Sequence, residues 1–133
     1  MQNVSVIPDA LTLTEVLTAR SASADFIKVF PCGPVGEDRY IKALHTSFPQ
    51  IPLIAARGGN QQTAATFILS GATGIGVGTE LIRNEATQRR QSQRIHELAR
   101  RFAKVAKDGR EQLEAWKRSQ VVKEFTGTEK CEK

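Results

Sequence analysis

The segment Asp25-Phe26-Ile27-Lys28-Val29-Phe30-Pro31 sets one cation inside a run of β-branched and aromatic residues. Side chains alternate along a strand, so Phe26, Lys28 and Phe30 share one face while Ile27 and Val29 share the other. Desolvation disfavours an enclosed ammonium, and the neutral amine that replaces it can condense with a ketone to form a Schiff base. A lysine near a strand end can also run its apolar stem out to solvent, and the strand alone leaves both readings open.

Other chemistry-bearing groups are weaker. Glu37 and Asp38 follow the loop Cys32-Gly33-Pro34-Val35-Gly36, where they either approach the lysine strand's exit or stay solvated and favour the start of a helix. Cys32 follows the lysine strand, yet no histidine is placed in sequence to activate it. His45 and His96 fall on amphipathic stretches with no carboxylate or cysteine at ligand spacing, so they read as structural and no metal is expected. Gly76-x-Gly78 lacks the third glycine and the acid of a dinucleotide fingerprint, no Walker loop occurs, and no cofactor is expected.

The elements that must position Lys28 alternate between strand-like and helical runs. Val4-Ser5-Val6-Ile7 precedes a helix near residues 12–20, where Thr12 and Glu15 have capping-box spacing. The lysine strand over 25–30 leads to a helix through Tyr40, Ile41, Leu44 and Phe48. Pro52-Leu53-Ile54-Ala55-Ala56 is the third strand, and Asn60 is placed to cap a helix carrying Ala64, Phe67 and Ile68 that closes at Gly71. Gly74-Ile75-Gly76-Val77-Gly78-Thr79 is a fourth strand with glycine at every second position. Four βα units at this spacing imply a parallel sheet with right-handed crossovers. Doubly wound and barrel folds both satisfy that pattern, and the alternate glycines favour a barrel with an open lumen side. A barrel needs eight strands, so the expectation is a partial (β/α)8 barrel holding its last four units.

At 133 residues, 40% apolar and 25% charged, the chain suits one soluble globular domain. No stretch approaches the roughly 18 apolar residues of a membrane span, and no secretory signal is visible. Cys32 and Cys131 are the only cysteines and read as reduced thiols in a cytoplasmic protein. Charge is uneven: residues 1–82 carry a net of −1, and residues 83–133 a net of +6. After Arg83, Ile95, Leu98, Phe102 and Val105 recur at helical spacing beneath a basic face. Asp108-Gly109 is expected to break that helix before a second one with Leu113 and Trp116. The expected division is therefore 1–82 for the partial barrel, 83–125 for basic amphipathic helices, and 126–133 for a disordered tail.

Together, Ile7-Pro8 with Thr12 and Glu15, Phe26-x-Lys28-x-Phe30-Pro31, Tyr40-Ile41-Lys42-Ala43-Leu44, Gly58-x-Asn60 and Gly76-Val77-Gly78-Thr79 carry a resemblance. They resemble the C-terminal half of the class I aldolases that cleave 2-keto-3-deoxy-6-phosphogluconate and 4-hydroxy-2-oxoglutarate. The resemblance covers residues 4–82. It implies that Lys28 is the Schiff-base lysine, that Phe30, Pro31 and Thr12 border the substrate, and that C–C cleavage releases pyruvate and an aldehyde. It also implies a phosphate site at Ala56, Arg57 and Gly58 after the third strand and at Gly78 and Thr79 after the fourth. The family usually has two glycines where this chain reads Arg57-Gly58, so Arg57 either binds the anion itself or obstructs the loop. The family's general acid/base, a glutamate, and its carboxylate-binding arginine lie in the barrel half that has no counterpart here, so weak turnover is expected.

The expected partners are a 2-keto acid substrate and further copies of the chain, the family being commonly trimeric. A competing reading is a non-catalytic half-barrel that acts by self-association or partner binding, driven by open sheet edges and an uncovered apolar face. The basic C-terminal segment also suggests a nucleic-acid surface. Interleaved acids and the lack of an aromatic stacking platform beyond Trp116 and Phe125 argue against it.

Overall fold

The computed structural model describes residues 4–126, with side chains through Lys123. In chain order the elements are β1 (Asp9–Ala10), α1 (Leu13–Ser21), β2 (Ile27–Val29), a 3-10 turn (Gly33–Val35), α2 (Glu37–Ser47) and β3 (Leu53–Ala56). They continue with α3 (Ala64–Leu69), β4 (Gly74–Gly76), α4 (Asn84–Gln88) and α5 (Ser92–Thr126). The architecture is α/β, with one four-stranded sheet in the order β1-β2-β3-β4 and every pair parallel.

Alternation decides which face is which. Ile27 and Val29 of β2 and Leu53 of β3 have no solvent exposure and pack with Val16, Ile41, Leu44 and Phe67 from α1, α2 and α3. Each such side chain contributes about 1.5–3 kcal/mol by leaving water. The register then aligns Asp9, Lys28, Ile54 and Gly74 in one row on the opposite face. The expected assignment of strand faces therefore holds.

The helix near 12–20 starts as its spacing predicts. Thr12 Oγ1 accepts the Glu15 N–H at 3.3 Å, while Glu15 Oε2 accepts the Thr12 and Leu11 N–H groups at 2.7 and 2.9 Å. The hydrogen bond from the Thr12 backbone, with a second from Leu11, holds the Glu15 carboxyl below its ordinary value. This contribution to stability is present above the usual carboxylate range and is lost as pH falls through the lowered folded-state value.

Three local expectations are corrected. Residues 4–7 are not a strand: the ladder is confined to Asp9–Ala10. The Asp25 carboxylate takes the Val6 N–H at 2.7 Å, which removes that donor from strand pairing, although Val6 O still accepts from the Asp25 and Phe26 N–H groups. Asn60 does not cap α3 directly. Its Oδ1 accepts from Gln62 N and Thr63 N at 2.8 and 2.9 Å, so it caps the turn that leads into Ala64–Leu69.

The third correction concerns the basic helices. Asp108-Gly109 does not interrupt them, since α5 is continuous for 35 residues. The break falls earlier, where Arg90 takes a φ of +49° between α4 and α5. Gly109 is buried against α3: a Cβ placed on it would lie 3.4 Å from Ala65 Cα and 3.5 Å from Ile68 Cβ. The position therefore lies at the α5–α3 contact, where a methyl group would fit at ordinary van der Waals distance and a large side chain would not, and the Lys104–Asp108 pair at 2.8 Å bridges one turn just before it. The expected tail falls almost wholly outside the described residues. Replacing Gly109 by Leu should push α5 off α3 and cost about 1–3 kcal/mol in a urea unfolding series. Unchanged stability would show that this contact does not hold α5 in place.

Candidate active site

Lys28 is the middle residue of β2, and its neighbours Ile27 and Val29 anchor the strand from the helix side. Its side chain therefore emerges on the open face. There Nζ lies 2.9 Å from Asp9 Oδ1, with the two side chains 37% and 53% exposed. The apolar strand leaves an enclosed and a solvent-reaching amine both open; the structure gives a half-open one held by a carboxylate. The reason is that no described helix covers this face, so the row containing Lys28 meets solvent. Phe30 follows on the same face, its ring centroid 5.1 Å from Nζ, and it is itself 39% exposed. It walls one side of the amine only.

Parallel strands end on the same side of a sheet, and the loops leaving those ends border a crevice. Here they border an open cleft of about 830 Å³. Lys28 and Phe30 contribute from β2, Ala56 through Asn60 from the exit of β3, Gly76 through Glu80 from the exit of β4, and Glu37 from the start of α2. Space at Gly76 is tight: a Cβ there would approach Ala56 Cβ to 3.1 Å, so a side chain would have to push its neighbour by a few tenths of an ångström.

Arg57 takes a φ of +59°, a left-handed conformation that costs a non-glycine residue about 1–2 kcal/mol. The Gly33 N–H donates to its carbonyl at 2.7 Å and fixes the turn. Its guanidinium carbon sits 6.0 Å from the Phe30 ring centroid, at the outer limit of a cation–π contact. Among the described residues no carboxylate lies within ion-pair distance of it. Arg57 is thus accommodated in the turn, and its cation faces the same cleft as Lys28.

Of the residues singled out from sequence, Lys28, Phe30, Ala56, Arg57, Gly58, Gly78 and Thr79 line this one cleft. Thr12 and Pro31 do not. Thr12 caps α1 and borders a separate groove with Tyr40 and Leu44, while Pro31 follows a cis peptide after Phe30. His45 is half-buried against Gly71, its Nδ1 without a hydrogen-bond partner, and His96 is exposed. Sequence reasoning missed Asp9. The available signal was an acid directly after Ile7-Pro8, but its meaning depends on a strand register that no local pattern encodes.

Residues 1–98 match the family model described as KDPG and KHG aldolase. The chain is 35% identical over 91 residues to 2-dehydro-3-deoxy-6-phosphogalactonate aldolase of Escherichia coli (strain K12), covering 68% of this chain and 44% of that protein. A native KDPGal structure superimposes with a TM-score of 0.72 at 30% identity, covering 81% of this chain and 50% of that one. A cube-shaped, highly porous protein cage designed by fusing symmetric oligomeric domains gives a TM-score of 0.79 at 28% identity, over 94% of this chain and 45% of that one. The chain thus spans about half the length of the relatives it matches.

Cys32 does not join the site. It has no exposure, its Sγ donates to the Val29 carbonyl at 3.1 Å, and burial pushes its thiol up despite an opposing contact with the Ala56 backbone. Under native conditions at neutral pH, iodoacetamide should leave Cys32 unmodified in a peptide map, with alkylation appearing only after denaturation. Rapid native alkylation would mean that the β2 exit opens far more than its packing indicates.

Proposed function

Because the chain belongs to the KDPG and KHG aldolase family, we propose that it performs lysine-imine chemistry on 2-keto acids with Lys28 as the nucleophile. The observation that carries this reading is the position of Lys28: its amine reaches an open cleft bordered by the exits of three parallel strands. The four βα units correspond in this reading to the last four of an eight-stranded barrel, within residues 1–82, and residues 83–125 add the basic helical segment.

The amine nitrogen attacks the C2 ketone, and loss of water leaves an iminium. As the C4 hydroxyl gives up its proton to solvent, its O–H electron pair forms the aldehyde C=O, the C3–C4 bond breaks, and that bond's pair moves into the iminium to leave an enamine. Protonation of the enamine and hydrolysis return pyruvate and free Lys28. Arg57, with the backbone of Gly58, Gly78 and Thr79, supplies the cationic and N–H-rich end of the cleft where a phosphorylated substrate tail would sit. Substrates of this class are 2-keto-3-deoxy-6-phosphogluconate, its galactonate isomer, and 4-hydroxy-2-oxoglutarate.

Self-association accompanies this function. Within the described sheet β1 and β4 each have one paired side, and Val6, Ile7 and Phe30 are exposed at 55%, 44% and 39%. A further copy covering these groups would remove apolar surface from water and shield the Lys28 cleft. Among the described residues no helix is long and apolar enough to cross a membrane.

The reading is tested by incubating the chain with pyruvate and sodium borohydride, then mapping modified peptides by mass. One reduced pyruvyl adduct on the peptide containing Lys28, absent from Lys28→Ala, is expected. An unmodified chain, or adducts scattered over surface lysines and unaffected by Lys28→Ala, would contradict it.

A further inference from the structure

We infer that Asp9 is a catalytic carboxylate of this chain, carrying the protons that imine formation at Lys28 must move. The inference rests on the reading of Lys28 as the imine-forming amine. The parallel register places Asp9 directly opposite Lys28, so both side chains leave the sheet on the same face. Asp9 Oδ1 contacts Nζ at 2.9 Å, the length of a charge-assisted hydrogen bond. Asp9 does not itself line the cleft; it meets the chemistry through the amine it touches.

Stability does not account for this pair. With side chains 37% and 53% exposed, an ion pair of this kind contributes about 0–1 kcal/mol. The other residues in the row, Ile54 and Gly74, are uncharged. Among the described residues the Asp9 carboxylate makes no other hydrogen bond, so nothing else on the sheet uses it. Glu37 and Glu80 border the cleft, but neither comes within ion-pair distance of Lys28.

The proton movements balance around one carboxylate. Asp9 takes a proton from the Lys28 ammonium and frees the nitrogen lone pair. That pair forms the N–C2 bond while the C=O π pair moves to oxygen. Asp9 protonates this oxygen and removes a proton from the nitrogen, giving the neutral carbinolamine. It then protonates the hydroxyl, the C–O bond breaks, water leaves, and the nitrogen pair forms the C=N bond of the iminium. Ammonium and ketone become iminium and water, and Asp9 ends as the carboxylate it began as.

The experiment measures the rate of adduct formation with pyruvate and excess cyanoborohydride in the full chain, with far-UV circular dichroism as the fold control. Asp9→Asn should form the Lys28 adduct roughly a hundredfold more slowly than wild type, at the lower end of what a positioned acid/base supplies. Asp9→Ala should be comparably slow and should recover part of its rate with added acetate, which a structural role would not produce. A Lys28 adduct in Asp9→Asn at the wild-type rate or faster would overturn the inference, because Asp9 would then only restrain the lysine, and the reading of Lys28 would survive. An Asp9→Ala rate indifferent to acetate would overturn it equally. Wild-type protein without any Lys28 adduct would remove both readings together.

Discussion

The burial of Ile27 and Val29 on the helix side of β2 governs what the molecule offers chemically. Both are fully withdrawn from solvent, and a strand has only two faces. Their anchoring therefore commits Lys28 to the open face. A slip of one residue would bury the lysine among α1, α2 and α3 and expose the two aliphatic side chains, at a cost of several kcal/mol. The same constraint propagates sideways: because β1 pairs in register with β2, fixing Lys28 also fixes Asp9 opposite it.

From this row the site extends along the strand direction. The C-terminal ends of β2, β3 and β4 supply the amine, the turn with Arg57, and the glycine-rich exit at Gly76 and Gly78. The helices contribute by holding those ends still. α5 lies against α3 through the bare surface of Gly109, which keeps the helix after the β3 loop seated. The two cations in the cleft differ in their surroundings: Lys28 is held by a carboxylate, while Arg57 has none at ion-pair distance among the described residues. In the proposed function, a ligand bearing a ketone at one end and an anion at the other would meet that division.

Much of this was legible in the sequence wherever the cause is local. The Thr12–Glu15 capping box depends on residues three apart, and the face of Lys28 depends on its immediate neighbours, so both were readable. The order of βα units followed from alternating periodicity. What escaped depends on contacts distant in sequence. Residues 4–7 lose regular pairing because the Asp25 side chain competes for the Val6 N–H. Asp108-Gly109 has the composition of a helix stop, but Gly109 is used for packing against Ala65, and tertiary contact outweighs local propensity. Asp9 joined the site only through register. Whether Lys28 is enclosed depends on what covers the sheet, which one strand's composition does not contain.

The most direct test of the account is diffraction from crystals of the chain grown with pyruvate and reduced in place. The account requires continuous density from Lys28 Nζ to C2 of the three-carbon ligand, with Asp9 beside the new bond and the carbon chain directed into the cleft toward Arg57. An unmodified Lys28 still paired to Asp9, with pyruvate absent or bound elsewhere, would contradict the assignment of this cleft as the active site.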